Sequence, residues 1–227
     1  MVVVRLDVLW LWRRSYAVVT ESAPARTRSC GTLEAAMQMH LSRPPLQKSF
    51  GLALGLWAGE TPAGRDEAET QRRLRGFRRE GIDFFVDLTE DGEAEPYACL
   101  VHPWARHVRV PMRAGELPAA VRVREAIAVV DRALGDGFFV YVHGVEGVER
   151  TGIVVGCWLA YWDHHCGDPV AMLEELRGVI PGRRRASPRT AAGRALVRAW
   201  PAYGDGSGVA EARAALRVVS AARGGSR

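Results

Sequence analysis

Lysine is almost absent from this chain. Of 31 basic residues, all but Lys48 are arginine, so a phosphate loop that depends on a lysine has one candidate, which lies in no glycine-rich loop. With the abundance of alanine and glycine, the arginine excess reads as the coding bias of a GC-rich genome, and the arginine count is no sign of ligand recognition. Cysteine is also scarce. The four cysteines, at 30, 99, 157 and 166, form no CxxC pair, which argues against a disulfide framework and fits free thiols in a reducing cytoplasm. No apolar run approaches the roughly 18 residues of a membrane helix. The opening MVVVRLDVLWLWRR is broken by Arg5 and Asp7 and lacks a basic n-region and a small-residue cleavage site, so no signal peptide is expected. The basic run GRRRASPR at 182–189 has no interleaved aromatics and reads as a solvated helix start, so no nucleic-acid partner is expected. Asp163, His164, His165, Cys166 and Asp168 are potential metal ligands. Neighbours at a helix end point in different directions, so the cluster reads as a helix terminus closed by Gly167. No metal and no cofactor are expected.

The 227 residues, 48% hydrophobic and 25% charged with a formal charge of +5, suit a globular domain with an added arm. Val2, Val4, Leu6, Val8, Trp10 and Trp12 alternate as a strand does, and SRPPLQ at 42–47 resembles a linker. The pattern then predicts a strand over 51–59, a helix over 69–80 with Leu74 and Phe77 on one face and Gly81 after its end, and a strand over 82–88. An acidic turn, TEDGE, follows. A short strand is expected at 107–111 and a helix from Pro118 to about Leu134, with Val121, Ala128 and Leu134 among its apolar positions. The apolar run FFVYV at 138–142 reads as a central parallel strand, and Thr151–Trp162 as a buried helix. Helices over 169–178, 187–200 and 209–222 and a frayed tail complete the chain. Strands alternating with helices imply an α/β sandwich, helices flanking a mainly parallel central sheet. The expected divisions are an N-terminal extension of uncertain structure at 1–45, a domain at 46–205, and a C-terminal helix with tail at 206–227.

The stretch from Phe139 to Ile153, FVYVHGVEGVERTGI, runs from strand to glycine loop to apolar helix. Such a loop forms an anion site from backbone N–H groups and the helix dipole, and Arg150, at the helix entrance, can add a two-pronged phosphate contact. A Walker A loop requires GxxxxGK[ST], and no lysine lies here. His143, the five residues Val145–Glu149, Arg150 and Thr151 fit instead the His-Cys-x5-Arg-Ser/Thr loop of protein-tyrosine phosphatases, with Gly144 in place of cysteine. LWAGETP at 56–62 resembles the entry strand of dual-specificity phosphatases. GIDFFVDLTEDGE at 81–93 is similar to their next strand and turn, and VRVPMRAGELP at 108–118 to the segment bearing their mobile acid. SPRTAAGRALVRAW at 187–200 resembles a late segment of bacterial members. The likeness covers residues 50–200.

The resemblance implies a phosphatase-like three-layer sandwich. It also implies that three chemical positions have been lost: the nucleophile at Gly144, the general acid at Ala114, and the water-positioning residue at Gly193, with Arg189 standing where an acidic residue is usual. Glu116 could act as a weak displaced acid. The family includes pseudophosphatases of the STYX type with glycine at the nucleophile position. The resemblance implies a phosphate site formed by Gly144, Val145, Glu146, Gly147, Val148, Glu149 and Arg150, with Glu146 and Glu149 turned away from the anion and His143 and Thr151 as supports. Three readings stay open: an inactive homologue binding a phosphorylated protein or small phosphate ester, an active phosphatase with atypical residues, and a scaffold whose loop binds nothing. For the second, Cys157 is the nearest thiol in sequence, two turns into the helix. The sequence leaves the oligomeric state open.

Overall fold

A computed structural model describes residues 44–53, 55–162, 167–182 and 186–200. The expected strand at Val2–Trp12, the helix at 209–222 with its tail, and the Asp163–Cys166 part of the ligand cluster lie outside these residues. The elements are β1 (Ser49–Ala53), β2 (Leu56–Gly59), α1 (Glu67–Arg79), β3 (Phe84–Asp87), α2 (Ala98–Val101), β4 (Arg106–Arg109), α3 (Ala120–Gly135), β5 (Val140–His143), α4 (Glu149–Trp162), α5 (Pro169–Leu176), a 3-10 turn (Arg177–Val179) and α6 (Ala191–Ala199). They build a five-stranded sheet in the order β1-β2-β5-β3-β4. Only the β1–β2 pair is antiparallel. The expected α/β sandwich with a mainly parallel sheet is what the chain forms.

The strand sequences explain why both sheet faces are covered. Leu56 and Ala58, Phe84 and Val86, and Val140 and Val142 enter one hydrophobic cluster, with residues of α3, α4, α5 and α6. The alternate residues Trp57, Phe85 and Tyr141 enter a second cluster with Leu74 and Phe77 of α1. Side chains of a strand alternate between faces, so an unbroken apolar run such as FFVYV is what a central strand between two helix layers needs. The Phe77 ring meets Phe85 at 5.3 Å and Tyr141 at 4.5 Å, both edge-on.

Several boundaries differ from expectation. The 51–59 strand is a hairpin, because Gly55 at φ +83° reverses the chain and splits the run into β1 and β2. The apolar face of α3 is Val123, Ala126, Ile127, Val130, Ala133 and Leu134, a spacing of three and four. Val121 is 61% exposed and Ala128 is exposed. These two share a seven-residue spacing, but their side of the helix carries charged neighbours. The helix expected over 187–200 begins at Ala191, with Thr190 as N-cap accepting from the Gly193 N–H at 3.0 Å. Ser187, preceding a proline, is disfavoured in a helix. The short helix α2 was not anticipated. No helix among the described residues is long and apolar enough to cross a membrane.

Candidate phosphate-binding site

The register of the sheet aligns Gly59 of β2, His143 of β5 and Asp87 of β3 at one edge, the carboxyl ends where open α/β sheets bind ligands. The 144–148 loop leaves β5 there and enters α4. It is pinned on both flanks. Thr61 N–H donates to the Val145 carbonyl at 3.0 Å, and the Ser187 hydroxyl donates to the Val148 carbonyl at 2.6 Å. Gly147 has φ +68°, and a Cβ there would lie 2.3 Å from the Gly59 carbonyl carbon, so both the backbone conformation and the close approach to β2 require glycine. At Gly144 a Cβ would meet only ordinary contacts, Thr151 Oγ1 at 3.4 Å and Arg150 Nε at 3.6 Å. The space for a side chain is present and unfilled. The Gly144 N–H itself donates to Thr151 Oγ1 at 2.8 Å, so this amide supports the loop and is not offered to a ligand, contrary to expectation. Among the described residues, the Val145, Gly147 and Val148 N–H groups meet no acceptor.

Arg150 is 9% exposed. Its NH1 end donates to the Met112 carbonyl at 2.9 Å, the Leu88 carbonyl at 3.3 Å and Glu93 Oε2 at 2.5 Å, while NH2 donates to Glu93 Oε1 at 3.0 Å. The Nε–H and the second NH2 hydrogen remain, and Nε lies beside the empty Gly144 position. A guanidinium presents donors in parallel pairs. Here the NH1 edge is consumed by the protein, and the Nε edge faces the loop. Burial would raise the Glu93 carboxyl's pKa, but the Arg150 hydrogen bonds, the Glu90 N–H and the Arg150 charge outweigh it and hold the group below the ordinary carboxylate range.

Glu149, expected among the anion-binding residues with its side chain turned from the anion, points its carboxylate at the segment before α6. Its carboxylate accepts from Arg189 N–H at 2.6 Å, Thr190 N–H at 3.0 Å and the Thr190 hydroxyl at 2.5 Å, tying the loop to the segment leading into α6. Gly193 lies behind this tether. A Cβ on it would come within 2.7 Å of Glu149 Oε1 and 2.9 Å of Pro188 Cβ, so the position accepts no glutamine without displacement. Ala114 and Glu116 are in an exposed turn with Gly115 at φ +77°. Glu116 pairs with Arg113 at 3.4 Å. Glu146 is exposed.

His143 is fully buried. Its Nδ1 lies 3.2 Å from the Gly144 carbonyl. A carbonyl only accepts, so Nδ1 carries the proton and Nε2 accepts from the Tyr97 hydroxyl. Burial pushes the imidazole pKa down to about 4, against the opposing pull of Asp87. Asp87, also buried, accepts from His107 at 3.2 Å, Arg109 Nε at 3.1 Å and both the amide and hydroxyl of Thr89 at 2.9 and 2.7 Å. Burial would raise its pKa, but the His107 bond, the charge that His143 carries only in acid, and the two Thr89 bonds outweigh it and drive the carboxyl well below the usual range. Asp168, read as part of a helix end, caps α5 through Val170 N–H at 3.0 Å and pairs with Arg198 at 2.7 Å. Cys157 is buried, and burial pushes its thiol pKa up.

Sequence reasoning missed Glu93, the Leu88 and Met112 carbonyls that orient Arg150, and the Tyr97–Asp87 network under His143. The acidic turn was visible, but nothing local shows which of its carboxylates folds back over the arginine.

The fold is that of the protein-tyrosine and dual-specificity phosphatases. Kinase-associated phosphatase with its catalytic cysteine changed to serine superposes with a TM-score of 0.57 at 15% identity, covering 74% of this chain and 98% of that one. The human tyrosine phosphatase-like serine/threonine/tyrosine-interacting protein gives 0.52 at 17%, covering 69% and 97%. TpbA of P. aeruginosa, as a cysteine-to-serine variant in complex with pTyr, gives 0.52 at 19%, covering 75% and 94%. Residues 59–164 match the family model Tc-R-P, described as a polymorphic toxin system DSP-PTPase phosphatase. No curated protein matches the sequence.

Proposed function

We propose that this chain is a catalytically inactive phosphatase-fold protein that binds a phosphorylated partner through the 144–150 loop. The observation that carries the reading is the state of Arg150. Its NH1 edge is anchored by Glu93 and two carbonyls, while its Nε edge stays open beside a glycine with no nucleophile. Covalent phosphoryl transfer needs a group at that point, and of the described cysteines Cys157 is buried within α4 and Cys99 is remote in sequence, on α2. An anion seated over Gly144 meets no thiolate charge, only the arginine, the unpartnered loop amides and the positive end of α4. The complex of TpbA with pTyr supports a phosphate monoester as the ligand class. The matched family's toxin-system setting and a bacterial cytoplasmic location are part of the same proposal. The scaffold reading draws on Glu93, whose carboxylate already takes two of the arginine's donors.

The wild-type protein is expected to show no burst and no turnover with an aryl phosphate. Phosphate or vanadate should raise its Tm at constant ionic strength, by mass action on the native state. Arg150→Lys keeps the charge opposite Glu93 but loses the planar fork, so the shift should vanish in that variant. Turnover that disappears with Arg150→Lys would establish an enzyme, and a Tm unmoved by tens of millimolar phosphate would leave the scaffold reading.

A further inference from the structure

The charge beside the loop narrows the ligand class, an inference that rests on the binding reading above. The chain as a whole is basic, at +5, yet the two segments that hold Arg150 carry an acidic edge. The side chains of Glu90, Asp91 and Glu116 are 41%, 95% and 62% exposed. Glu93 is consumed by Arg150. Arg113, exposed between the two segments, is shared by Glu90 at 3.9 Å and Glu116 at 3.4 Å. Arg109 is shared by buried Asp87 and by Asp91. The acidic edge is contiguous with the bowl, because Glu90 N–H donates to the same Glu93 carboxylate that grips Arg150, at 2.7 Å, and Met112, the residue before Arg113, supplies one of the arginine's carbonyls.

A bound phosphate therefore fits a donor-lined bowl with carboxylates on one side. Any second anionic group on the ligand would lie against those carboxylates, and a cationic neighbour would be drawn to them. Such juxtapositions set specificity more than total affinity. We infer that the partner presents a single phosphate monoester flanked by arginine or lysine side chains, a phosphorylated site within a basic peptide segment. Polyanions such as nucleic acid are disfavoured at the same edge, despite the chain's arginine content.

The test compares four probes by calorimetry: inorganic phosphate, a phosphoserine peptide with arginines on both sides, the same peptide with glutamates instead, and a 5′-phosphorylated single-stranded oligonucleotide. At low ionic strength the arginine peptide should bind about tenfold more tightly than the glutamate peptide, and the gap should narrow as salt screens the exposed charges. It should also narrow in the Glu90→Gln, Glu116→Gln double variant, whose changes are exposed and leave the fold intact, while phosphate binding persists. Equal affinities for the two peptides, a gap unchanged in the variant, or tightest binding of the oligonucleotide would overturn the inference and leave the loop as a phosphate site. Failure of every probe, inorganic phosphate included, would overturn the binding reading and this inference together.

Discussion

On the proposed reading, Gly144 is the residue on which the chemistry turns. A Cβ there meets nothing closer than 3.4 Å, so Gly144→Cys should fold without displacing its neighbours. The new thiol would stand beside Arg150 and at the start of α4, where a cation and a helix N-terminus lower a thiol's pKa. The variant should alkylate with an apparent pKa below the ordinary thiol value, at or under about 7.5, and trap phosphate covalently from an activated aryl phosphate. A folded variant whose thiol titrates near 8.5 and traps nothing would show that the Nε edge of Arg150 does not face the reacting position. Gly193 offers no parallel rescue, because a side chain there runs into Glu149 and Pro188.

At the scale of elements, two segments divide the loop's support. The 111–117 segment supplies the Met112 carbonyl to Arg150 and then turns outward through exposed Ala114. Placing aspartate there costs little packing. In the Gly144→Cys background, Ala114→Asp should raise turnover by about 10²–10⁴ if the segment closes over the ligand, more for alkyl than for nitrophenyl leaving groups. An equal or lower rate with both leaving groups would mean that this segment does not carry the acid position. The second support is the 187–190 segment, held by Glu149. Glu149→Ala removes three accepted hydrogen bonds and should cost about 1–3 kcal/mol in urea denaturation, with faster amide exchange in α6. Unchanged exchange there would show that the tether is incidental.

For the whole molecule, the neutral state of His143 links stability to pH. Its pKa is depressed to about 4 by burial, while in the unfolded chain it titrates near the ordinary 6.5. The unfolded state therefore binds more protons between these values, and stability rises with pH across that window. The stabilisation is complete above pH 6.5 and is lost as pH falls towards 4, by up to about 3 kcal/mol. Asp87 and Glu93, both lowered, extend the loss further into acid. Denaturant midpoints from pH 7 to 4 should show this fall, and His143→Gln should flatten the upper part. A flat wild-type profile between 6.5 and 5 would contradict the buried neutral imidazole.

Local pattern was enough for the architecture and for the loop. The FFVYV run, the turn glycines and the helix spacing each report a physical preference that neighbours along the chain already express, so the α/β sandwich and the placement of His143, Gly144 and Arg150 at a strand–helix junction were legible. Boundaries failed where a single residue outweighed a run, as at Gly55 and at Ser187 before its proline. What lay beyond reach were partnerships across long stretches of sequence. Glu93 grips Arg150 from 57 residues away, Tyr97 meets His143 from 46, and Glu149 holds Thr190 from 41. The first two depend on the sheet order bringing the chain that follows β3 to the edge where β5 ends, and the third on the packing of α6 against α4. Which donors of Arg150 remain for a ligand follows from that convergence and from no local motif.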